Sequence, residues 1–250
     1  MERGPIEFPT ADIETVYIRR VHEVVQYLVP VYIHGRNFGK SRLPLIQAVG
    51  QGDLHWVRQI LLKTDTDPNT RSWKGWTALQ HACYIETGSP ESKNQEAIVR
   101  LLISHGADVN SAPGLFHGRT ALQAACKKGN EKIVDLLLEN GADVNEDVAP
   151  VDGQSSLAYA VEAGGFGIVK KLLDRGAYIN QPGSEPYRNT ALSAAAEEGN
   201  LEMLDYLIEN EAITKGPAAL LALTTAIVHN QLDIARCLLE KALASMYPVP

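Results

Sequence analysis

Gly106-Ala107-Asp108-Val109-Asn110, Gly141-Ala142-Asp143-Val144-Asn145 and Gly176-Ala177-Tyr178-Ile179-Asn180 are three versions of one phrase. Each follows an apolar run of helical length, Ile98 to Ile103, Ile133 to Leu138 and Ile168 to Leu173. Each precedes a Thr/Ser-Ala/Ser-Leu step that begins at Thr120, Ser155 or Thr190. A unit this small cannot bury an apolar face by itself, so the pattern predicts an array in which neighbours cover one another. Function then belongs to the stacked surface rather than to one enclosed cavity.

Working outward from the Thr/Ser ruler, units register at Leu43, Thr77, Thr120, Ser155, Thr190 and Leu221, with spacings of 34, 43, 35, 35 and 31 residues. Within a unit, a short first helix carries small apolar residues, as in Leu122-Gln123-Ala124-Ala125-Cys126 and Leu192-Ser193-Ala194-Ala195-Ala196. A Gly-Asp or Gly-Asn break follows (Gly52-Asp53, Gly129-Asn130, Gly199-Asn200) and suits a helix end with a tight turn. The second helix has larger apolar residues at i, i+3 and i+4. Leu136, Leu137, Leu172, Leu173, Ala125 and Ala195 are expected to be buried.

Gly118-Arg119-Thr120-Ala121-Leu122-Gln123-Ala124-Ala125, with Ile133 to Leu138 and the phrase ending at Asn145, resembles an ankyrin repeat almost throughout. The resemblance extends over roughly residues 41–242. It implies an all-α solenoid of about six stacked helix-turn-helix units, with projecting finger loops and a concave face. There are departures. The first unit has Leu43-Pro44-Leu45 at the ruler, the fifth has Arg188 where the finger glycine stands, and Ala219 to Ala242 keeps the helix pattern without a finger. The expected organisation is an N-terminal capping helix and loop (1–40), an array (41–242, units near 41–72, 73–115, 116–150, 151–185, 186–216 and 217–242) and a tail (243–250). The capping helix is read over Asp12 to Val29, stopped by Pro30.

Composition narrows the function class. With 250 residues, 45% of them hydrophobic, the chain has ample material for a core. A net charge of −7 argues against a nucleic-acid backbone as partner. Three cysteines without framework spacing fit a reducing compartment. The start Met1-Glu2-Arg3-Gly4-Pro5 lacks a secretory pattern, and the run Pro217 to Ile227 is too short to span a bilayer. The expectation is an intracellular protein without membrane insertion, in the cytoplasm or, as the alternative, the nucleus.

The resemblance implies that partners are read by finger residues just before the ruler and by exposed residues late in the first helix. In the second unit these are Trp73, Lys74, Trp76, Tyr84 and Ile85; in the third, Phe116, His117, Arg119, Lys127 and Lys128. The fourth contributes Asp152 and Glu162, the fifth Tyr187, Glu197 and Glu198. Trp73 and Trp76 are expected to face solvent and to gather with Tyr84, Ile85, Phe116 and His117 into one apolar contact patch. The competing reading packs them against the neighbouring finger. The basic residues of the second and third units and the acidic ones beyond would set a partner's register.

Three fingers are long: Asn69 to Thr77 is 8 residues, but Asn110 to Thr120, Asn145 to Ser155 and Asn180 to Thr190 are each 10. Glu86 to Gln95 reads as a surface insert between two helices. His22, His34, His55, His81, His105, His117 and His229 are scattered without metal spacing, and Cys83 and Cys126 read as small core residues. No cofactor is expected. The sequence therefore points to a noncatalytic scaffold that binds a protein or peptide. The alternatives are an enzyme or small-ligand binder with an aromatic pocket in the groove, and an adaptor that self-associates through its terminal units.

Overall fold

The ruler residue starts the second to fifth units because its hydroxyl accepts the amide hydrogen three residues on, whereas Leu221 falls inside the last unit's first helix. Thr77 with Gln80, Thr120 with Gln123 and Thr190 with Ser193 form reciprocal capping boxes, and Ser155 accepts from the Ala158 amide at 3.1 Å. The protein is seen in a computed structural model that describes residues 44–114, 118–184 and 189–246. The helix expected over residues 12–29 lies outside them. The described residues form six helix pairs: α1 (Pro44–Gly50) and α2 (Leu54–Lys63), α3 (Ala78–Cys83) and α4 (Gln95–Ser104), α5 (Ala121–Lys127) and α6 (Glu131–Glu139), α7 (Ser156–Glu162) and α8 (Phe166–Asp174), α9 (Ala191–Glu198) and α10 (Leu201–Glu209), α11 (Gly216–Val228) and α12 (Leu232–Met246). Residues 243–246 thus continue a helix instead of opening a tail. Among the described residues there is no strand beyond an isolated bridge at Val151.

First helices stack on first helices, from α1 through α3, α5, α7 and α9 to α11, and second helices form the layer behind them. The approach is close because the facing side chains are small: Ala82, Cys83, Ala124, Ala125, Cys126, Ala160, Ala195 and Ala196 have no exposed surface. Burial pushes the Cys83 and Cys126 thiols well above the ordinary range, so both act as small apolar side chains. Leu137 and Leu172 are fully buried and Leu136 nearly so, as expected. Leu173 is only half-buried, because α8 turns Ile168, Val169 and Leu172 inward and leaves Leu173 on the flank of that stripe.

The repeated phrase ends in asparagine for a reason that the stack makes plain. Asn69 donates from Nδ2 to the Gly106 carbonyl (3.0 Å), and its Oδ1 accepts the Asp108 amide (2.7 Å). Asn110 does the same with Gly141 and Asp143, and Asn145 with Gly176 and Tyr178. Asn180 reaches the Glu211 carbonyl and the Ile213 amide (3.3 and 2.8 Å). Each side-chain amide therefore stands in for a backbone partner and stitches its unit to the next. The receiving groups are main-chain, so the ladder survives where the phrase itself degenerates.

The insert after α3 is more than a loop. Pro90–Asn94 forms a 3-10 turn, and its Glu91 backbone lies so close to Gly52 that a Cβ at Gly52 would come within 2.3 Å of the Glu91 carbonyl oxygen. Asn94 Nδ2 donates to the Gly52 carbonyl (2.9 Å), while Glu86 pairs with Lys128. Gln95 is buried between the Ala82 carbonyl and Asn130. The segment ties the first unit to the third.

Candidate functional site

The finger of the second unit is a tight turn. The Ser72 amide donates to the Trp76 carbonyl (2.7 Å), the Gly75 amide donates to the Ser72 carbonyl (2.8 Å), and Gly75 sits at φ +78°, where a side chain would be strained. Arg71 Nη1 donates to the carbonyls of Gly75 and Ala112, fixing this finger to the next (2.7 and 2.9 Å). The turn sends its two tryptophans in opposite directions. Trp73 is 74% exposed, with the Lys74 ammonium 5.2 Å from its ring. Trp76 is only 8% exposed, which corrects the expectation that it faces solvent. Its indole packs on His81 and edge-on against Tyr84 (centroids 5.3 and 5.2 Å), beside Gly114 of the following finger. Burial, with Lys74 adding to it, lowers the His81 pKa to about 4.

Across the second to fourth units the surface is built from cations lying on rings. Lys128 stands 4.4 Å from the Tyr84 centroid, and the Arg119 guanidinium lies between Tyr84 (5.1 Å) and Tyr159 (4.9 Å). Lys127 stands 5.4 Å from Tyr159 and pairs with Glu162, at the same register of the next unit. Tyr159 is almost wholly buried and its hydroxyl donates to the Asp152 carbonyl (3.4 Å). Burial raises its pKa, opposed by Arg119. Asp152 adopts φ 54°, a left-handed conformation that points the finger of the fourth unit.

The arrangement brings Tyr84, Arg119, Lys127, Lys128 and Glu162 into one contiguous row, with Trp76 packed behind Tyr84. It leaves Trp73 and Lys74 projecting beside that row. Ile85 is half-buried, its carbonyl accepting from Gln95 Nε2 (3.4 Å), and Glu197 and Glu198 are exposed one unit beyond Glu162. Phe116, His117 and Tyr187 lie outside the described residues. Tyr159 was missed by the sequence reading, although one signal was available: its register position holds Ala124 and Ala194 in the flanking units.

A family model described as ankyrin repeats matches the chain in three copies, over residues 16–113, 91–183 and 157–246. The chain belongs to the ankyrin repeat family. Ankyrin repeats are in general protein-interaction modules and typically noncatalytic. The chain is similar to the ankyrin repeat protein YahD of Escherichia coli (strain K12), with 35% identity over 85 residues, 34% of this chain and 40% of that protein. The match thus spans less than half of that relative's length. The crystal structure of the human ASB11 ankyrin repeat domain superposes with a TM-score of 0.64 at 24% identity, over 80% of this chain and 83% of that one, which bears on the fold alone.

Two further properties of the ankyrin face are chemical. Among the described residues no three His, Cys, Asp or Glu side chains are placed to hold a metal ion, and no helix is long and apolar enough to cross a membrane. At the base of the fourth finger, burial raises the Glu146 carboxyl to about 7; the Thr120 hydroxyl opposes this and Asp143, Asp108 and Asp147 add to it. A raised folded-state pKa means that stability is greatest below the unfolded value near 4.5 and is lost as pH rises through about 7. Glu146→Gln should therefore melt above wild type at pH 8, by about 1–2 kcal/mol after allowance for partial exposure, and near it at pH 4. An equal difference at both pH values would contradict the burial of this carboxyl.

Proposed function

We propose that the concave face of the second to fifth units is a noncatalytic docking surface for a peptide or folded protein, in the cytoplasm or nucleus. The observation that carries this reading is the row in which Arg119, Lys127 and Lys128 are held on Tyr84 and Tyr159. A guanidinium clamped between two rings has already lost most of its rotamer freedom, so a partner meets a preorganised surface. Beside it Trp73 offers a large exposed ring, the side-chain type that dominates interface energetics. Basic groups in the third unit and Glu197 with Glu198 in the fifth give the face a direction.

Trp73 is the cleaner probe than Trp76, because its removal leaves the core intact. Trp73→Ala should weaken capture of the partner by about 2 kcal/mol, roughly 30-fold, at an unchanged melting temperature. Glu198→Ala should mainly change association rate and its salt dependence. The measurement is a pull-down with wild type beside Trp73→Ala, followed by binding kinetics on the protein retained. If the variant retains the same protein with the same affinity, the concave face at the second unit is not the docking surface.

A further inference from the structure

The α11–α12 pair is the last unit among the described residues, and it carries a run of exposed apolar side chains of the kind that marks a contact surface. α11 turns Ala222 and Ala226 toward the stack and leaves Leu220 (61% exposed) and Ile227 (58%) on its open side, two turns apart. Leu232 at the start of α12 (68%) and Leu239 (48%) extend the surface, and Val228 (77%) crowns the turn between the helices. Leu220 and Leu239 also border a groove of about 290 Å³ between the two helices.

We propose that this face pairs with the same face of a second copy of the chain, about a twofold axis. Three features favour a copy over an unrelated occupant. The surface is self-complementary in outline, since the ridge of Ile227, Val228 and Leu232 and the groove beside Leu220 and Leu239 lie on one face, as an isologous contact requires. The charge is self-complementary too. Arg236 and Glu240 are exposed, four residues apart on α12, so antiparallel apposition of α12 with its twofold mate sets Arg236 of each copy against Glu240 of the other. The area is of the right size: the five exposed apolar side chains leave on the order of 500 Å² per copy, the greater part of the ~800 Å² per partner in a standard stable interface.

The pairing leaves the concave face of the second to fifth units open, so it stands independently of the docking role argued for that face. Sedimentation of the full chain across the micromolar range tests it. Wild type is expected at twice the chain mass, and Leu239→Arg at the chain mass with unchanged helical circular dichroism. Arg236→Glu should weaken the dimer roughly tenfold, and Arg236→Glu combined with Glu240→Arg should restore it, because the exchange rebuilds the same pairs across the axis. The charge exchange decides the question even if Leu239→Arg fails to fold, since both charged residues are exposed. A wild type that stays at the chain mass overturns the proposal, as would a dimer indifferent to both Leu239→Arg and Arg236→Glu. Failure of the exchanged pair to restore association overturns the antiparallel register.

Discussion

Trp76→Ala is expected to lower the free energy of unfolding by about 3–5 kcal/mol, the range for deleting a buried aromatic side chain. The indole is 8% exposed and lies between His81, Tyr84 and Gly114, so its loss leaves a space that Tyr84 and the next finger can only partly close. A second readout separates this from a general loosening. His81 has a folded pKa near 4 against an ordinary 6.5, so the folded protein keeps it neutral while the unfolded chain protonates. Stability contributed by that difference is complete above pH 6.5 and is lost as pH falls toward 4, amounting to roughly 3 kcal/mol. Removing the indole admits water to His81 and should raise its pKa, flattening the slope of stability between pH 4 and 6.5. Urea unfolding of wild type and variant at several pH values measures both effects. A melting midpoint equal to that of wild type would mean that the indole is not packed as described.

The correction at Trp76 has a local cause. The sequence places it directly before the ruler residue, where the resemblance implies a solvent-facing finger side chain. Its finger, however, is the short one, with 8 residues from Asn69 to Thr77, and it closes at Gly75 beneath a longer neighbour that carries Gly114. The indole is covered by that neighbour, and a two-residue difference in the adjacent loop carries no such information by itself. The array was legible because its signals are local or periodic. The capping hydroxyls act three residues away, and the closing asparagines recur where each unit must meet the next. The pairing of Lys127 with Glu162 could also be read once the units were aligned, since the two share a register one unit apart. Tyr159 was hidden by the opposite circumstance: a large ring in a register that the flanking units fill with Ala124 and Ala194 is accommodated only by the stack. The link from Gly52 to Asn94 depends on how an insert folds back across units, which no spacing along the chain encodes.

Leu137→Ala should have a comparable effect by a different route. Leu137 is fully buried in the second helix of the central unit, and its carbonyl accepts the Ala142 amide (3.0 Å) that begins the descent into the repeated phrase. Truncation removes apolar burial and opens a cavity in a layer whose backbone is held by asparagine contacts on both sides, so collapse is limited; a loss of about 2–5 kcal/mol follows. Because each unit contacts only its neighbours, the loss need not fall evenly on the array. The third unit joins a front half to a back half, and weakening it uncouples them. Amide hydrogen exchange should therefore quicken first in α5 and α6 and in the facing helices α3 and α7, whereas α10 should keep more of its protection. Equal acceleration in every helix would instead mean that the array unfolds as one unit. Wild-type exchange throughout, together with an unchanged melting temperature, would contradict the burial of Leu137 itself.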